Sequence, residues 1–501
     1  MTSIGQMNDI FKQLEECMKK CDSLSQDIKV IKKGHKQEIK KINNNFKKEK
    51  VQLNSQIASL NKIIVQKDGK IEKLENEVDR LKKQINNNSN NSSTPPSTDI
   101  KANKKIVNNR KETKNNVGGQ KGHKGITLSK KYVEDNIKNK NFEHEIVHIG
   151  KISNKYNSKF KLDISVNVIA TEYRFYADEN GKINIPKEFQ SNVQYGSEIK
   201  TLCSVLNTEG IVAINRLTDF VSSILHGKIN ISNGTIVNFV KELSKKISKP
   251  LKEIEKKILN SNLMRTDATP VRCDNKNISV RNYSTKEYTL LKATKRKSKK
   301  DIEETNILPK YCGNLIHDHE TVIYNYGKGH GKCNVHLLRY LTANYENTNN
   351  KWCKDMKNFL VSLNNMKKRK IVKGINHITK QDFKKYSMRF DEIVESGIEE
   401  NKKVKSKYYK QEEKKLLDRL KKYKSNHLLF IENFEIPFDN NLSERELRHV
   451  KSKQKISGHF KSIEGVQNYL DIKSIITTCK KIEKNFYTTI KNIFDNTPVT
   501  I

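Results

Sequence analysis

Two acids close short apolar runs in this chain. Asp267 lies in Asn262-Leu-Met-Arg-Thr-Asp-Ala268, and Asp318 ends Gly313-Asn-Leu-Ile-His-Asp318. Both runs read as strands that finish on a carboxylate. A third acid, Glu444, sits in Pro437-Phe-Asp-Asn-Asn-Leu-Ser-Glu-Arg-Glu-Leu-Arg-His449. There Asp439, Asn440 or Asn441 can each cap a helix start, because a short side-chain oxygen accepts from an orphan backbone N–H. Two strand-end carboxylates met by a helix carrying a third form a constellation for divalent metal, and Arg445 and Arg448 beside Glu444 suit phosphate. Each part alone has a plainer reading. A strand-end acid is often a turn residue or helix cap, and Glu444 one turn before Arg448 makes a surface ion pair. Leu447 and Val450, three apart, would face a core.

The elements that must position these acids follow from periodicity. Residues 261–326 read as strands, with a meander through Ile278–Tyr283 and Glu287–Ala293 and a basic helical piece near 295–306. Residues 330–430 are mostly helical and basic. They open on Cys333-Asn-Val-His-Leu-Leu-Arg-Tyr-Leu341, where His336 and Arg339 share a face that meets either phosphate or solvent. The one tryptophan, Trp352, reads as core, and the charged run Lys402–Lys424 as a solvated or DNA-facing helix. A helix through Val466, Tyr469, Leu470 and Ile476 should pack on the sheet.

Upstream lie smaller modules. Ile57, Leu60, Ile64, Ile71, Leu74, Val78, Leu81 and Ile85 alternate steps of three and four, broken at Lys67. That reads as a coiled coil and self-association, against a lone charged helix folded onto another domain. The Asn/Ser run Asn86–Pro96 is a flexible linker. Lys101–Lys124 then holds eight Lys or Arg against one acid, Glu112, and contains Gly118-Gly-Gln-Lys-Gly-His-Lys-Gly125. Its glycines and cations (Lys121, His123, Lys124) suit phosphate, either as a formed loop or as a disordered basic tail. Residues 140–190 alternate like β-strands. Residues 197–248 turn helical, with Ser197 and Ser232 as caps, forming either a helix-turn-helix reader or a structural bundle.

The chain of 501 residues has room for several domains and carries a formal charge of +40, which favours an anionic polymer or surface as partner. No apolar run approaches the roughly 20 residues that span a bilayer. The N-terminus lacks a signal-peptide core, so the cytosol is expected. Eight scattered cysteines without a CxxC pair fit free thiols in a reducing compartment.

In order, these parts resemble the insertion-sequence 66 family of DDE transposases. The resemblance rests on the zipper, the Ser-Ser-Thr-Pro-Pro linker, the Gly-Gly-Gln motif, Ser232-Asn-Gly-Thr-Ile236, Arg265-Thr-Asp-Ala-Thr-Pro-Val-Arg272, Val335-His-Leu-Leu-Arg339, Asp439-Asn-Asn-Leu-Ser-Glu-Arg-Glu-Leu-Arg448 and Lys455-Ile-Ser-Gly-His-Phe-Lys-Ser462. It implies a multidomain α+β protein with a ribonuclease-H-like α/β core split by a helical insertion. The expected domains are a coiled coil over 1–86, a flexible basic linker over 87–126, a small β-rich module over 127–195 and a helical module over 196–258. The core would follow over 259–328 and 431–501, with the insertion at 329–430. Asp267, Asp318 and Glu444 match the three catalytic, metal-holding acids, with Glu320 as fallback for the second. The family usually reads Ser-Asp-Gly-Tyr where this chain reads His-Asp-His-Glu. Lys121, His123, Lys124, His336, Arg339, Arg445 and Arg448 would contact DNA. The implied activity is cutting the ends of an insertion sequence and joining them to target DNA with Mg²⁺ or Mn²⁺. Double-stranded DNA, further copies of the chain and accessory proteins of the same element would be partners, at a bacterial nucleoid. A transposase-derived DNA-binding protein with impaired catalysis is the alternative.

Overall fold

The computed structural model describes residues 3–88, 91–92, 128–149, 151–152, 154, 156–186, 189 and 191–501. Most of the linker and the whole Gly-Gly-Gln motif, with Lys121, His123 and Lys124, lie outside them. The chain divides into two compact units, Met1–Asn86 with Lys405–Tyr409, and Asn87–Val404 with Lys410–Ile501.

The first unit is dominated by one 84-residue helix, α1 (Ser3–Asn86). Its seam residues Ile57, Leu60, Ile64, Ile71, Leu74, Val78, Leu81 and Ile85 are all exposed.

The second unit is mixed α/β. It holds α2 (Lys130–Lys138), α3 (Ser197–Thr208), α4 (Ile214–Ile224), α5 (Asn233–Lys246) and α6 (Ser248–Leu259) before the sheet. The sheet strands are β1 (Leu263–Cys273), β2 (Lys276–Ser284), β3 (Thr289–Thr294), β4 (Asn314–His317) and β5 (Gly329–Lys332), with the short helix α7 (Lys299–Glu304) between β3 and β4. Then come α8 (Asn334–Thr348), α9 (Lys351–Val372), α10 (Lys380–Lys402), α11 (Lys407–Lys422), α12 (Lys424–Glu432), α13 (Asn441–Ser457), α14 (Ile463–Lys481) and α15 (Phe486–Phe494).

Strand order is β3-β2-β1-β4-β5. β2 is antiparallel to both its neighbours, whereas β4 runs parallel to β1 and to β5. Both sheet edges are covered, which removes the hazard of unpaired backbone groups. Along β3, the N–H groups of Thr289, Leu291 and Ala293 donate to Thr478, Ser474 and Gln467 of α14 at 3.1, 2.9 and 2.9 Å. Along β5, Asn426 of α12 donates to the His330 carbonyl at 2.8 Å.

The strand β5 reads Gly-His-Gly-Lys and carries no β-signal, so the expected core boundary at residue 328 cuts through the sheet. Gly331 is required by close approach, because a Cβ there would lie 2.8 Å from Ile436 Cγ2 and closer still to Ile316. Residues 127–195 also differ from expectation. Among their described residues the β-pairing is limited to the Ala177–Ile183 bridge, and Ile146, Ile149, Ile164 and Ile169 are exposed. Alternation encodes a strand only when another layer covers its apolar face. Of the two expected caps, Ser232 accepts from Thr235 N–H, whereas Ser197 lies inside α3 behind an N-cap at Gly196.

Helices α8–α12 pack around buried Trp352, Phe390, Leu416, Leu417 and Leu420, a core that continues onto Ile316 of β4. The charged run expected to be a solvated helix therefore buries one face. It also buries Glu413 completely, and that carboxylate accepts from Trp352 Nε1 at 2.8 Å, Asn350 Nδ2 at 2.8 Å and Asn401 Nδ2 at 2.8 Å. Trp352→Ala should lower unfolding free energy by about 3–5 kcal/mol, since it opens a cavity and strips a donor from a buried carboxylate. Denaturant titration followed by circular dichroism would measure the loss.

Candidate metal and catalytic site

Asp267 lies on β1 and Asp318 directly follows β4, the parallel neighbour of β1. Glu444 lies in the first turn of α13, which packs Leu447 and Val450 against Val271 of β1. The sheet and this helix therefore bring all three acids to one place, and His336 of α8 stands among them. Its Nδ1 is 3.0 Å from Asp318 Oδ1, and its Nε2 is 3.9 Å from Glu444 Oε1. Asp318 is faced by His336 as an ion pair, while Glu444 Oε1 is buried without a hydrogen-bond partner, so the two carboxylates with Asp267 make a place that suits a cation.

Neighbouring backbone holds the acids in place. Asp267 N–H donates to Asn282 Oδ1 at 2.8 Å, and Ala268 N–H donates to Asp267 Oδ1 at 2.7 Å. Asn440 is the N-cap residue of α13, yet its side chain caps nothing. Its Nδ2 instead donates to the Thr266 carbonyl at 3.0 Å, tying the start of α13 to β1 one residue before Asp267. Asp439 takes the turn role, accepting from Asn441 N–H at 3.1 Å.

The His-Asp-His-Glu context resolves residue by residue. His317 Nε2 lies 3.3 Å from His330 Nδ1, and His319 Nδ1 lies 2.6 Å from Lys332 Nζ. Glu320, the fallback acid, is paired at 2.6 Å with Arg281, whose side chain is almost wholly buried. Each neighbour thus has its own partner, and Asp318 is the residue left facing Glu444 and His336.

His336 was expected at phosphate and is found between carboxylates, with its side chain only 12% exposed. Arg339 is half-buried further along α8. Arg448 is exposed and lies 3.6 Å from Glu444, as the i,i+4 spacing suggests, and Arg445 is exposed beside it. Two cations escaped the sequence reading. Lys297 Nζ donates to the Ala268 carbonyl at 2.7 Å, and Lys451 of α13 donates to the Pro270 carbonyl. Cys333 was also missed, and its signal is the Cys-x-x-His spacing at a helix start. Ligand atoms of Asp318, Cys333 and His336 lie within 4.8 Å of one another, so these residues could hold a divalent metal.

Burial raises the Asp267 carboxyl to about 7, with the Asp318 charge adding to the shift and the Ala268 N–H, Lys297 and His336 opposing it. Burial alone would lower His336, but Asp318 and Cys333 beside the ring outweigh it and raise the imidazole to about 11. Both folded values exceed the unfolded ones. Each group therefore contributes stability at low pH that is lost as pH rises through its folded value, from about 4 to 7 for Asp267 and from about 6.5 upward for His336. The metal-free protein should lose stability relative to Asp267→Asn between pH 5 and 8. A divalent cation should raise Tm more at pH 8 than at pH 5, because it competes with those protons. Differential scanning calorimetry at the two pH values checks both signs.

Among the described residues, no helix is long and apolar enough to cross a membrane. No curated protein matches this chain. A family of unknown function, DUF6444, matches residues 32–129. The model of the Transposase IS66 family matches residues 193–468, more than half of the chain and a span that includes Asp267, Asp318 and Glu444. The chain belongs to the Transposase IS66 family.

Proposed function

We propose that this transposase cuts the ends of its insertion sequence and joins them to target DNA at a site formed by Asp267, Asp318 and Glu444. The observation that carries the reading is the convergence of the three acids, two from parallel strands and one from α13, at a place where Glu444 Oε1 is buried without a hydrogen-bond partner. The strand order with β2 alone reversed supports a ribonuclease-H-like core. The separate partners of His317, His319 and Glu320 favour an active site over an impaired one, since Asp318 stays available.

The three carboxylates would hold Mg²⁺ or Mn²⁺, which when bound stabilises the attacking and leaving oxygens of an in-line phosphodiester cut. Asn282 and Asn440 fix the β1 backbone on which Asp267 sits. Arg445 and Arg448 sit on the exposed face of α13, where they can position the scissile strand through its phosphates. His336 lies between Asp318 and Glu444 and sets their spacing. A freed 3′-hydroxyl in the same place is aligned to attack target DNA, with no covalent protein intermediate.

Synapsis of two element ends needs more than one protomer. The exposed apolar seam of α1 supports pairing with a second copy, because a solitary helix of this length gains nothing from leaving that seam in water.

The test is incubation of the purified chain with duplex DNA carrying the element ends. Nicking that needs Mg²⁺ or Mn²⁺ supports the reading. End binding that weakens with salt but never yields cleavage would favour the impaired alternative.

A further inference from the structure

We infer that Lys332, His319 and Arg419, walled by Tyr324 and Tyr423, form a pocket for one phosphate of the DNA strand that is being cut. This deepens the DNA-cutting reading and rests on it for the identity of the strand.

Two strand ends and the tail of a distant helix build the pocket. β4 and β5 run parallel, with His317 opposite Lys332. Lys332 closes β5 and is only 3% exposed. His319 lies just past the end of β4, with its Nδ1 2.6 Å from Lys332 Nζ. Tyr423 stands between α11 and α12 and takes Lys332 Nζ over its ring, 4.0 Å from the centroid. Its other neighbour is Tyr324, stacked at 4.9 Å between centroids with 25° between the rings. The last turn of α11 adds Arg419 and Lys422. Arg419 lies over the Tyr340 ring at 4.8 Å, and Lys422 Nζ lies 5.4 Å from the Tyr423 centroid.

These cations have no counter-charge. Among the described residues, no carboxylate pairs with Lys332, Arg419 or Lys422. Burial and the Arg419 charge both disfavour the Lys332 ammonium, and no acid offsets them. Burial, then the charges of Lys332, Arg419 and His319, likewise hold buried His427 well below the usual imidazole range. An uncompensated buried charge is costly, and ring faces offset only part of the cost. An arriving oxyanion supplies what is missing, with charge-assisted hydrogen bonds from the ammonium and the guanidinium. The Tyr324 hydroxyl, buried without a hydrogen-bond partner, is a further donor. Aromatic faces beside cations are also the pattern of grooves that hold a nucleic-acid strand, which favours a DNA phosphate over a free one. Because His319 directly follows Asp318, that phosphate lies within a few nucleotides of the one being cut.

Inorganic phosphate and element-end duplex DNA, each with the full-length, metal-free chain, are the two probes. Phosphate should raise the wild-type Tm more than chloride does at equal ionic strength, and Lys332→Met and Arg419→Gln should each lose that rise. Without phosphate, Lys332→Met should melt no lower than wild type, because it removes a buried charge that lacks a partner. Unchanged circular dichroism of both variants shows that they are folded. Methylphosphonates placed one at a time along the DNA then locate the contact. One or two neutral positions near the cut should weaken wild-type binding about tenfold and Arg419→Gln binding less than about twofold, since that contact is already lost. A Tm rise with no such position assigns the pocket to free phosphate and overturns the DNA contact. Neither a rise nor a coupled position overturns the pocket altogether. Metal-dependent cleavage without a coupled position would leave the DNA-cutting reading standing and remove this one. A coupled position without any cleavage would do the reverse.

Discussion

Asp267→Asn should reduce metal-dependent cleavage of element-end DNA by about 10³-fold or more, with end binding changed less than about threefold. A carboxylate that holds a catalytic cation contributes several kcal/mol of transition-state stabilisation, and each 1.4 kcal/mol is a factor of ten in rate. The amide has the same shape and can still accept from Ala268 N–H, which keeps the local turn. It cannot donate a charge to a cation. The fold should not suffer, because the native carboxyl is held in a site that raises its pKa to about 7. At pH 8 the metal-free wild type carries an ionised group that burial and Asp318 disfavour, and the variant does not. Lost cleavage in a protein at least as stable as wild type is the expected pair of results, a trade of stability against activity at a catalytic group. Gel-based cleavage and binding assays on one DNA duplex, with thermal melts beside them, measure both.

The second large effect falls on Glu446, two residues from Glu444 and opposite in role. Its carboxylate is 7% exposed. It accepts from Ser284 Oγ at 2.6 Å, Thr289 Oγ1 at 3.0 Å and Asn282 Nδ2 at 3.2 Å, and pairs with Lys481 at 2.7 Å. One side chain therefore joins α13, β2, β3 and α14. Glu446→Ala leaves a buried ammonium and three polar groups short of a partner, which should cost about 3–5 kcal/mol. Glu446→Gln keeps the shape and one acceptor oxygen, so it retains part of the hydrogen bonding without the charge and should cost less. Asn282 also accepts from Asp267 N–H, so strain at Glu446 reaches the site through one residue. Equilibrium urea unfolding of both variants gives the ranking. Glu444→Gln in the same experiment should move stability little and abolish cleavage.

Much of this organisation was legible in the residues. The apolar run ending on Asp318, a helix start before Glu444, and the spacing of Leu447 and Val450 encode local structure directly, whereas Asp267, read as a strand end, lies in mid-strand because β1 runs on to Cys273 against β2. What stayed hidden depends on contacts between distant segments. Glu444 and Glu446 look alike in sequence, and only the positions of Ser284, Thr289 and Lys481 decide which one is core. The strand β5 has no propensity of its own and exists because Gly331 lets Ile316 and Ile436 come close. Cys333 looked like one scattered thiol until α8 and β4 put it beside Asp318. Asn440 looked like a helix cap and instead anchors the helix to β1. Over 127–195 the alternation was genuine, but no second layer among the described residues covers its apolar face.

The central claim is that Asp267, Asp318 and Glu444 surround one cation position. Fe²⁺ occupies such sites and, with ascorbate and peroxide, cuts nearby polypeptide. Fragments from the full-length protein can then be mapped by mass spectrometry. Cuts clustered within β1 near 267, just after β4 near 318 and in the first turn of α13 near 444, all suppressed by Mn²⁺ and lost in Asp318→Asn, are the predicted result. Cuts confined to other segments, or a pattern indifferent to Asp318→Asn, would contradict the account.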